Sequence, residues 1–183
     1  FNHKISVVYN FDISDVANAK ALPVTYFDPQ KFNVCYAGNI GYVQDIDVIL
    51  AAAKRLLHDP DIIFHIFGEG SQAARISKRI IDENIVNTIS YPALSVAESG
   101  ALYKNADVNI ISILPGIIKT ALPLKTASVI NSEKPFVFIG VDEKDHKEVW
   151  IDDIAGLVRI PHRNYVELSH ALKTLKKQNH KSS

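Results

Sequence analysis

The stretch VCYAGNIGYVQ, residues 34–44, begins as a short apolar run and continues as a loop that contains Gly38 and Gly41. From Asp45 onward, apolar residues recur at the spacing of one helix face. The stretch therefore predicts a strand, a glycine loop and a helix. Such a junction directs backbone N–H groups and the positive end of a helix toward an anion. It is either a phosphate cradle or a plain turn that needs glycine for its backbone angles.

The rest of the chain repeats this alternation. Apolar segments that are each followed by a helical pattern predict an α/β fold with a parallel sheet covered on both faces. Right-handed crossovers make that sheet doubly wound and Rossmann-like, with six strands in the order 3-2-1-4-5-6. The predicted strands are 32–37, 62–67, 88–91, 108–113, 136–139 and 157–160, and the predicted helices are 45–57, 71–84, 95–105, 125–131, 144–150 and 164–177.

This strand order also predicts where a ligand binds. Winding reverses between strands one and four, and ligands of such sheets bind outside the carboxyl ends of the strands at that point. The loop 38–44 would line one side of the crevice, and the loop 114–125 would line the other. The two unusual loops thus fall where the fold rule places a site, which favours a phosphate-type ligand.

Composition narrows the classes of partner. The 183 residues include 20 Lys plus Arg and 20 Asp plus Glu, so no overall field favours nucleic acid or an anionic membrane. Cys35 is the single cysteine, which fits a reduced, cytoplasmic setting.

The chain starts at Phe1 and contains no Met, so we expect a fragment. We predict a lead-in segment over residues 1–30 and one Rossmann-like domain over residues 31–183.

Two further features are candidates for a binding site, each with an ordinary alternative. Lys125 lies where a short helix is predicted to begin, a position that is unfavourable for a cation unless an anion is nearby. It either holds a phosphate or extends into solvent. Gly68-Glu69-Gly70 ends strand two and is either a tight turn or a place where a ligand approaches the backbone.

Several chemistries are disfavoured. The first loop lacks the third glycine of a dinucleotide fingerprint, and no acidic residue closes strand two, so an NAD site is not expected. The seven histidines stand at no metal-ligand spacing, so we expect no metal and no cofactor. His65, within strand two, is interpreted as a core or sheet-face histidine. Neither a nucleophilic serine elbow nor a P-loop lysine is present.

Five stretches, in order, resemble the C-terminal, donor-binding domain of a GT-B glycosyltransferase, of the retaining family 4 type that builds capsular and exopolysaccharides. They are VYNFD at 8–12, YAGNIG at 36–41 with Gln44, IFGEGS at 66–71, LYKNADV at 102–108, and PLKT at 123–126 running to KPFV at 134–137. The resemblance covers nearly the whole chain.

The resemblance implies a nucleotide-sugar donor, no metal, and an acceptor sugar or glycolipid bound through an N-terminal domain. That domain would also carry any catalytic base and any peripheral membrane contact, at the inner face of the membrane, so no catalytic residue is assigned here. The residues implied to flank the base are Gly68, Glu69, Gly70, Tyr91, Ala93 and Leu94. Those implied to hold the diphosphate and sugar are Gly38, Asn39, Gly41, Gln44, Pro123, Lys125, Thr126 and Ser128.

The sequence also departs from the family pattern. Asn39 and Gln44 stand where most members have an arginine and a lysine, and Thr120 and Ser128 stand where most have glutamates. Lys125 would then be the main cation for a diphosphate. Two alternatives remain open, a sugar-nucleotide epimerase of the same fold and a non-catalytic partner subunit.

Overall fold

The computed structural model describes residues 26–117, 125–140 and 154–182. Its sheet has six strands, all parallel, in the order β3-β2-β1-β4-β5-β6, which confirms the predicted topology. The strands are β1 (Phe32–Ala37), β2 (Ile62–Phe67), β3 (Thr88–Tyr91), β4 (Val108–Ser112), β5 (Phe136–Ile139) and β6 (Leu157–Ile160). The helices are α1 (Ile46–Arg55), α2 (Ala73–Asp82), α3 (Val96–Asn105), α4 (Lys125–Ile130) and α5 (Tyr165–Ser182).

The sheet separates two apolar layers. Every residue of β1 is buried, as expected for a strand covered on both faces. Val34 and Tyr36 belong to the layer that contains buried residues of α1, α2 and α5. Cys35 and Ala37 belong to the layer that contains buried residues of α3 and α4. The alternation along β1 thus assigns its side chains to opposite faces of the sheet.

The junction after β1 differs from the prediction of a helix that begins at Asp45. A 3₁₀ turn, Tyr42–Gln44, comes first, and Asp45 has a left-handed backbone with φ 42°. The side-chain oxygen of Gln44 accepts a hydrogen bond from the Gly41 N–H at 3.1 Å, which closes this turn. The glycine loop is therefore separated from α1 by one extra turn, which residue periodicity alone does not reveal.

Helix ends also shift where side chains outside the helix fix them. α3 begins after Ser95, and Ser95 and Glu98 form a capping box at its start. α5 extends beyond the predicted end at residue 177. In its last turns, Lys176 Nζ lies 2.6 Å from Asp59 Oδ1, and the amide of Asn179 donates to Asp107 at 2.7 Å. The predicted helix over 144–150 lies outside the described residues.

Aromatic side chains that precede β1 pack on the sheet. The ring of Phe27 lies 4.8 Å from that of His65, edge-on. The ring of Tyr26 lies 5.1 Å from those of Phe67 and Tyr91. Residues 1–25 lie outside the described part, so the boundary of the lead-in at residue 30 stays a prediction.

His65 is the buried sheet histidine that its position in strand two indicates. It is 1 % exposed, and its Nε2 lies 3.1 Å from the side-chain oxygen of Asn33 while its Nδ1 lies 3.3 Å from the hydroxyl of Tyr91. Burial lowers the pKa of His65 to about 4. The imidazole is therefore neutral in the folded protein at neutral pH.

We expect this histidine to make the fold sensitive to acid. Between its ordinary pKa of 6.5 and the folded value of about 4, the unfolded chain binds a proton that the folded chain does not. The slope approaches ~1.4 kcal/mol per pH unit in this window, so lowering the pH from 6.5 to 5 should remove about 1.5 kcal/mol of stability through this group. Histidine NMR titration would show the His65 ring still neutral at pH 5. A ring that is protonated near pH 6.5 in the folded state would contradict the assignment.

Candidate functional site

A cleft of about 330 Å³ opens at the carboxyl ends of β1 and β2. It lies beside the switch point between β1 and β4, where the strand order places a ligand. Seven predicted site residues line it, and they are Gly38, Asn39, Gly68, Glu69, Ala93, Leu94 and Lys125. Ala37, Phe67, Ser99 and Tyr103 also line it.

Other predicted site residues lie away from the cleft lining. Gly41 and Gln44 are in the adjoining 3₁₀ turn, and Tyr91 packs its ring on Phe67 with 4.3 Å between centroids. Thr126 is fully buried, and Ser128, one turn into α4, does not line the cleft either, nor does Gly70. Pro123 lies outside the described residues, as does Thr120.

Lys125 is held at the base of the cleft by groups on β1. Its Nζ donates a hydrogen bond to the Ala37 carbonyl at 3.1 Å and lies 3.7 Å from the centroid of the Tyr36 ring. A Cβ on Gly38 would lie 3.1 Å from this Nζ, so the ammonium is also beside the first loop. The alternative in which Lys125 extends into solvent is wrong, because the side chain turns back over β1.

The surroundings of Lys125 are apolar or neutral. No carboxylate of the described residues is within ion-pair distance of Nζ, and burial lowers the pKa of Lys125 to about 7. Burial also raises the pKa of Cys35 and of Tyr36, so neither becomes an anion near neutral pH. The cleft therefore contains a lysine for which the described residues supply no carboxylate counter-ion.

The two uncharged positions of the first loop are bonded to one another. The side-chain amide of Asn39 donates to the side-chain oxygen of Gln44 at 3.2 Å, and that oxygen also accepts from the Gly41 N–H. The sequence resemblance predicts that these positions serve one site, and they do lie together. Here, however, they stabilise the loop and leave Lys125 as the cation of the described cleft lining.

The glycines after β2 allow two loops to approach each other. A Cβ on Gly68 would lie 1.9 Å from the Gly38 carbonyl oxygen, and one on Gly70 would lie 2.6 Å from the Ile40 carbonyl oxygen. The loops are joined by a hydrogen bond from the Ile40 N–H to the Glu69 carbonyl at 2.7 Å. From the sequence we expected a tight turn or a ligand contact here, and neither includes this close packing of the two loops. The carboxylate of Glu69 is left exposed at the cleft edge.

Tyr103 and Ser99 are cleft residues that sequence reasoning missed. The hydroxyl of Tyr103 donates to the same Ala37 carbonyl that Lys125 contacts, at 3.2 Å. Ser99 and Tyr103 are four residues apart on α3, so they share one helix face. That spacing, on a helix that follows the third strand, is the signal that could have identified them.

Within the described ranges, no group of three or more His, Cys, Asp or Glu side chains is placed to hold a metal ion. In the same part of the chain, none of the helices combines the length and apolar character of a membrane span.

The six-stranded parallel sheet with a cleft at its switch point is one Rossmann-like half of the GT-B architecture. The family described as Glycosyl transferases group 1 matches residues 20–182, and the chain belongs to this family. This confirms the family to which the five motifs point.

A curated relative agrees with this assignment. The chain is 27 % identical over 191 residues to a protein of Escherichia coli (strain K12) named as a colanic acid biosynthesis glycosyl transferase, WcaI. The match covers 94 % of this chain and 45 % of that relative, so the chain spans about half the length of the curated relative that it matches.

Solved structures share the fold at low identity. A mutant of S. aureus TarM in complex with fondaparinux, alpha-GlcNAc-glycerol and UDP is 18 % identical, with a TM-score of 0.66 over 96 % of this chain and 33 % of that one. WaaG, a glycosyltransferase of lipopolysaccharide biosynthesis, is 14 % identical, with a TM-score of 0.64 over 83 % and 40 %. The C-terminal domain of LpcC from Francisella tularensis is 13 % identical, with a TM-score of 0.64 over 81 % and 77 %.

Proposed function

We propose that this chain is the donor-binding domain of a retaining glycosyltransferase of polysaccharide or glycolipid biosynthesis. The observation that carries the proposal is the amine of Lys125 at the base of a cleft at the carboxyl ends of β1 and β2. A diphosphate is the anion that suits such a site, because a charge-assisted contact to a phosphate oxygen would give the lysine a counter-ion that the described residues do not supply.

Different regions of the cleft would hold the diphosphate, the base and the sugar of a nucleotide sugar. The diphosphate would lie against Gly38 and Lys125, where backbone and ammonium together stabilise charge on the leaving group. The base would lie between Gly68 and the Ala93–Leu94 segment. The exposed carboxylate of Glu69 is an acceptor for sugar hydroxyls at the edge. No metal or cofactor is needed for this scheme.

The other half of the reaction would belong to a second domain. An acceptor sugar or glycolipid and any catalytic base would be held there, as would contact with the inner face of the membrane from the cytoplasm. The colanic acid biosynthesis in the name of WcaI supports a polysaccharide product, and the UDP in the TarM complex makes UDP the first ligand to test.

Isothermal titration of the 183-residue chain with UDP, GDP, ADP and dTDP tests the proposal. One of these nucleotides should bind at least about tenfold more tightly than its nucleoside, because the phosphates contact Lys125. Lys78→Ala removes a lysine from α2 whose side chain is 73 % exposed. This control variant should bind each nucleotide as the parent chain does. If none of the diphosphates binds better than its nucleoside, the proposed donor site is wrong.

We expect the chain alone to transfer no sugar. The cleft is one wall of the proposed two-domain site, and closure by the second wall is needed to position the acceptor and exclude water. An assay with radiolabelled UDP-, GDP- and dTDP-sugars and lipid-linked acceptors would measure this. Transfer above a no-enzyme control would contradict the expectation.

The Asn39–Gln44 pair favours a second candidate, the non-catalytic partner subunit, since the usual cations are absent from the first loop. Such a subunit would bind no nucleotide in the titrations above. Nothing on the described cleft lining favours the epimerase alternative. Glu69 is its single carboxylate, and no histidine lines it.

A further inference from the structure

Asp45 stands at the position that caps α1, but its side chain does not cap the helix. An aspartate there ordinarily accepts a hydrogen bond from one of the first backbone N–H groups of the helix, and Asp45 makes no such bond. Its backbone is left-handed, with φ 42° and ψ 54°, a conformation that is strained for residues other than glycine. Neither capping nor backbone conformation therefore accounts for an aspartate at this position.

The carboxylate of Asp45 instead faces His162, in the loop between β6 and α5. Nδ1 of His162 lies 3.2 Å from Oδ2 of Asp45, and the two side chains are 23 % and 11 % exposed. Both atoms are buried, and neither forms a well-aligned hydrogen bond with any other group of the described residues. Because a buried carboxylate oxygen without a partner is costly, we assign the two side chains to one another. The contact joins the beginnings of α1 and α5.

Asp45 directly follows the turn that shapes the first loop. The side-chain oxygen of Gln44, the preceding residue, accepts a hydrogen bond from the Gly41 N–H at 3.1 Å. The loop after β4 also contacts this turn, since the Leu114 N–H donates to the Val43 carbonyl at 2.8 Å. The loops that follow β4 and β6 therefore both hold the 3₁₀ turn beside the cleft.

We propose that His162 is a positioning residue for the donor site, because by holding Asp45 it fixes the 3₁₀ turn and, through Gln44, the conformation of the first loop. This inference rests on the proposed function. Backbone N–H groups stabilise a diphosphate best when they are oriented before the ligand arrives. Since residues 38–44 include no cation, the contribution of the first loop to affinity depends on its conformation.

Titration calorimetry tests the role of His162, with whichever of UDP, GDP, ADP and dTDP the parent chain binds most tightly. His162→Ala should weaken binding about 2- to 30-fold, since the first loop must then be ordered by the ligand. His162→Asn should restore most of the affinity, because its amide nitrogen branches from Cγ as Nδ1 does and still donates to Asp45. His170→Ala, at an exposed position of α5, is the matched control and should bind as the parent chain does.

Asp45→Gly separates positioning from stability. Glycine removes the backbone strain and leaves no unpaired carboxylate, which offsets the greater freedom of the unfolded chain, so the unfolding temperature should stay close to that of the parent chain. Binding should nevertheless weaken by about the same factor as in His162→Ala. The double variant should bind no worse than either single variant, because both changes remove one contact. Full affinity in Asp45→Gly would overturn the inference.

A measurement without ligand checks the contact itself. Amide hydrogen exchange at Gly41 should become at least about threefold faster in His162→Ala and in Asp45→Gly, and it should stay at the parent rate in His162→Asn. Unchanged exchange at Gly41, or unchanged nucleotide affinity in His162→Ala, overturns the inference and leaves the donor site intact. If the parent chain binds none of the four nucleotides, the donor site is overturned and this inference with it.

Discussion

Replacing Lys125 by alanine should weaken binding of a nucleoside diphosphate roughly 10- to 150-fold at neutral pH. A charge-assisted contact to phosphate contributes roughly 1.5–3 kcal/mol, and 1.4 kcal/mol corresponds to a factor of ten. The first loop cannot compensate, because Asn39 and Gln44 are uncharged and bonded to one another. Titration calorimetry with UDP and with the other nucleoside diphosphates measures the change.

The bare nucleoside is the internal control for this variant. It has no phosphate to lose, so its affinity should be almost unchanged, and Lys78→Ala should alter neither ligand. Equal losses for nucleoside and diphosphate would mean that the variant disturbed the loops around the cleft. Unchanged diphosphate affinity would show that the anion site lies elsewhere.

Gly68→Ala should lower the stability of the domain by at least about 3 kcal/mol. Two costs combine, since φ at Gly68 is +151° and the new Cβ would lie 1.9 Å from the Gly38 carbonyl oxygen. Strained backbone and overpacking each cost about 1–3 kcal/mol, and the clash here is with backbone, which cannot turn aside as a side chain can. For a chain of this length, thermal unfolding should occur roughly 6–12 °C lower.

Gly116→Ala is the matched comparison. Its φ is +81°, but no atom of the described residues lies within 4 Å of the Cβ position, so backbone strain of about 1–2 kcal/mol is the cost expected from them. Thermal unfolding followed by circular dichroism ranks the two variants. If Gly68→Ala is no less stable than Gly116→Ala, the close approach of the two loops is not what requires glycine at position 68.

The sequence predicted the sheet well because its evidence is local. Most strands are short, mainly apolar runs, such as Phe32–Ala37, and most helices carry a 3.6-residue pattern, so element type can be read within one segment. Right-handed crossovers then leave few topologies. The boundaries that shifted, at Asp45 and at the end of α5, are those set by side chains of other segments.

The site was predicted less completely for the same reason. Motif order placed Gly38, Glu69, Leu94 and Lys125 on one cleft, and the structure brings them together. It did not indicate Tyr103 as a cleft residue, since a tyrosine on a helix is ordinarily part of the core. The hydrogen bond that gives it a place in the site reaches a carbonyl 66 residues away in sequence.

By itself, the sequence determined the strand order, the position of the switch-point cleft and the loss of positive charge from the first loop, because these depend on residue type and periodicity. Only the tertiary structure decided what Lys125 and Gly68 do. The position of the Lys125 ammonium is fixed by a hydrogen bond to a carbonyl 88 residues away. Glycine is needed at position 68 because the backbone of another loop lies where a Cβ would be. The desolvation of a charged side chain and the close approach of two loops depend on which segments meet in space. The linear sequence does not show which residues will surround a given lysine or glycine.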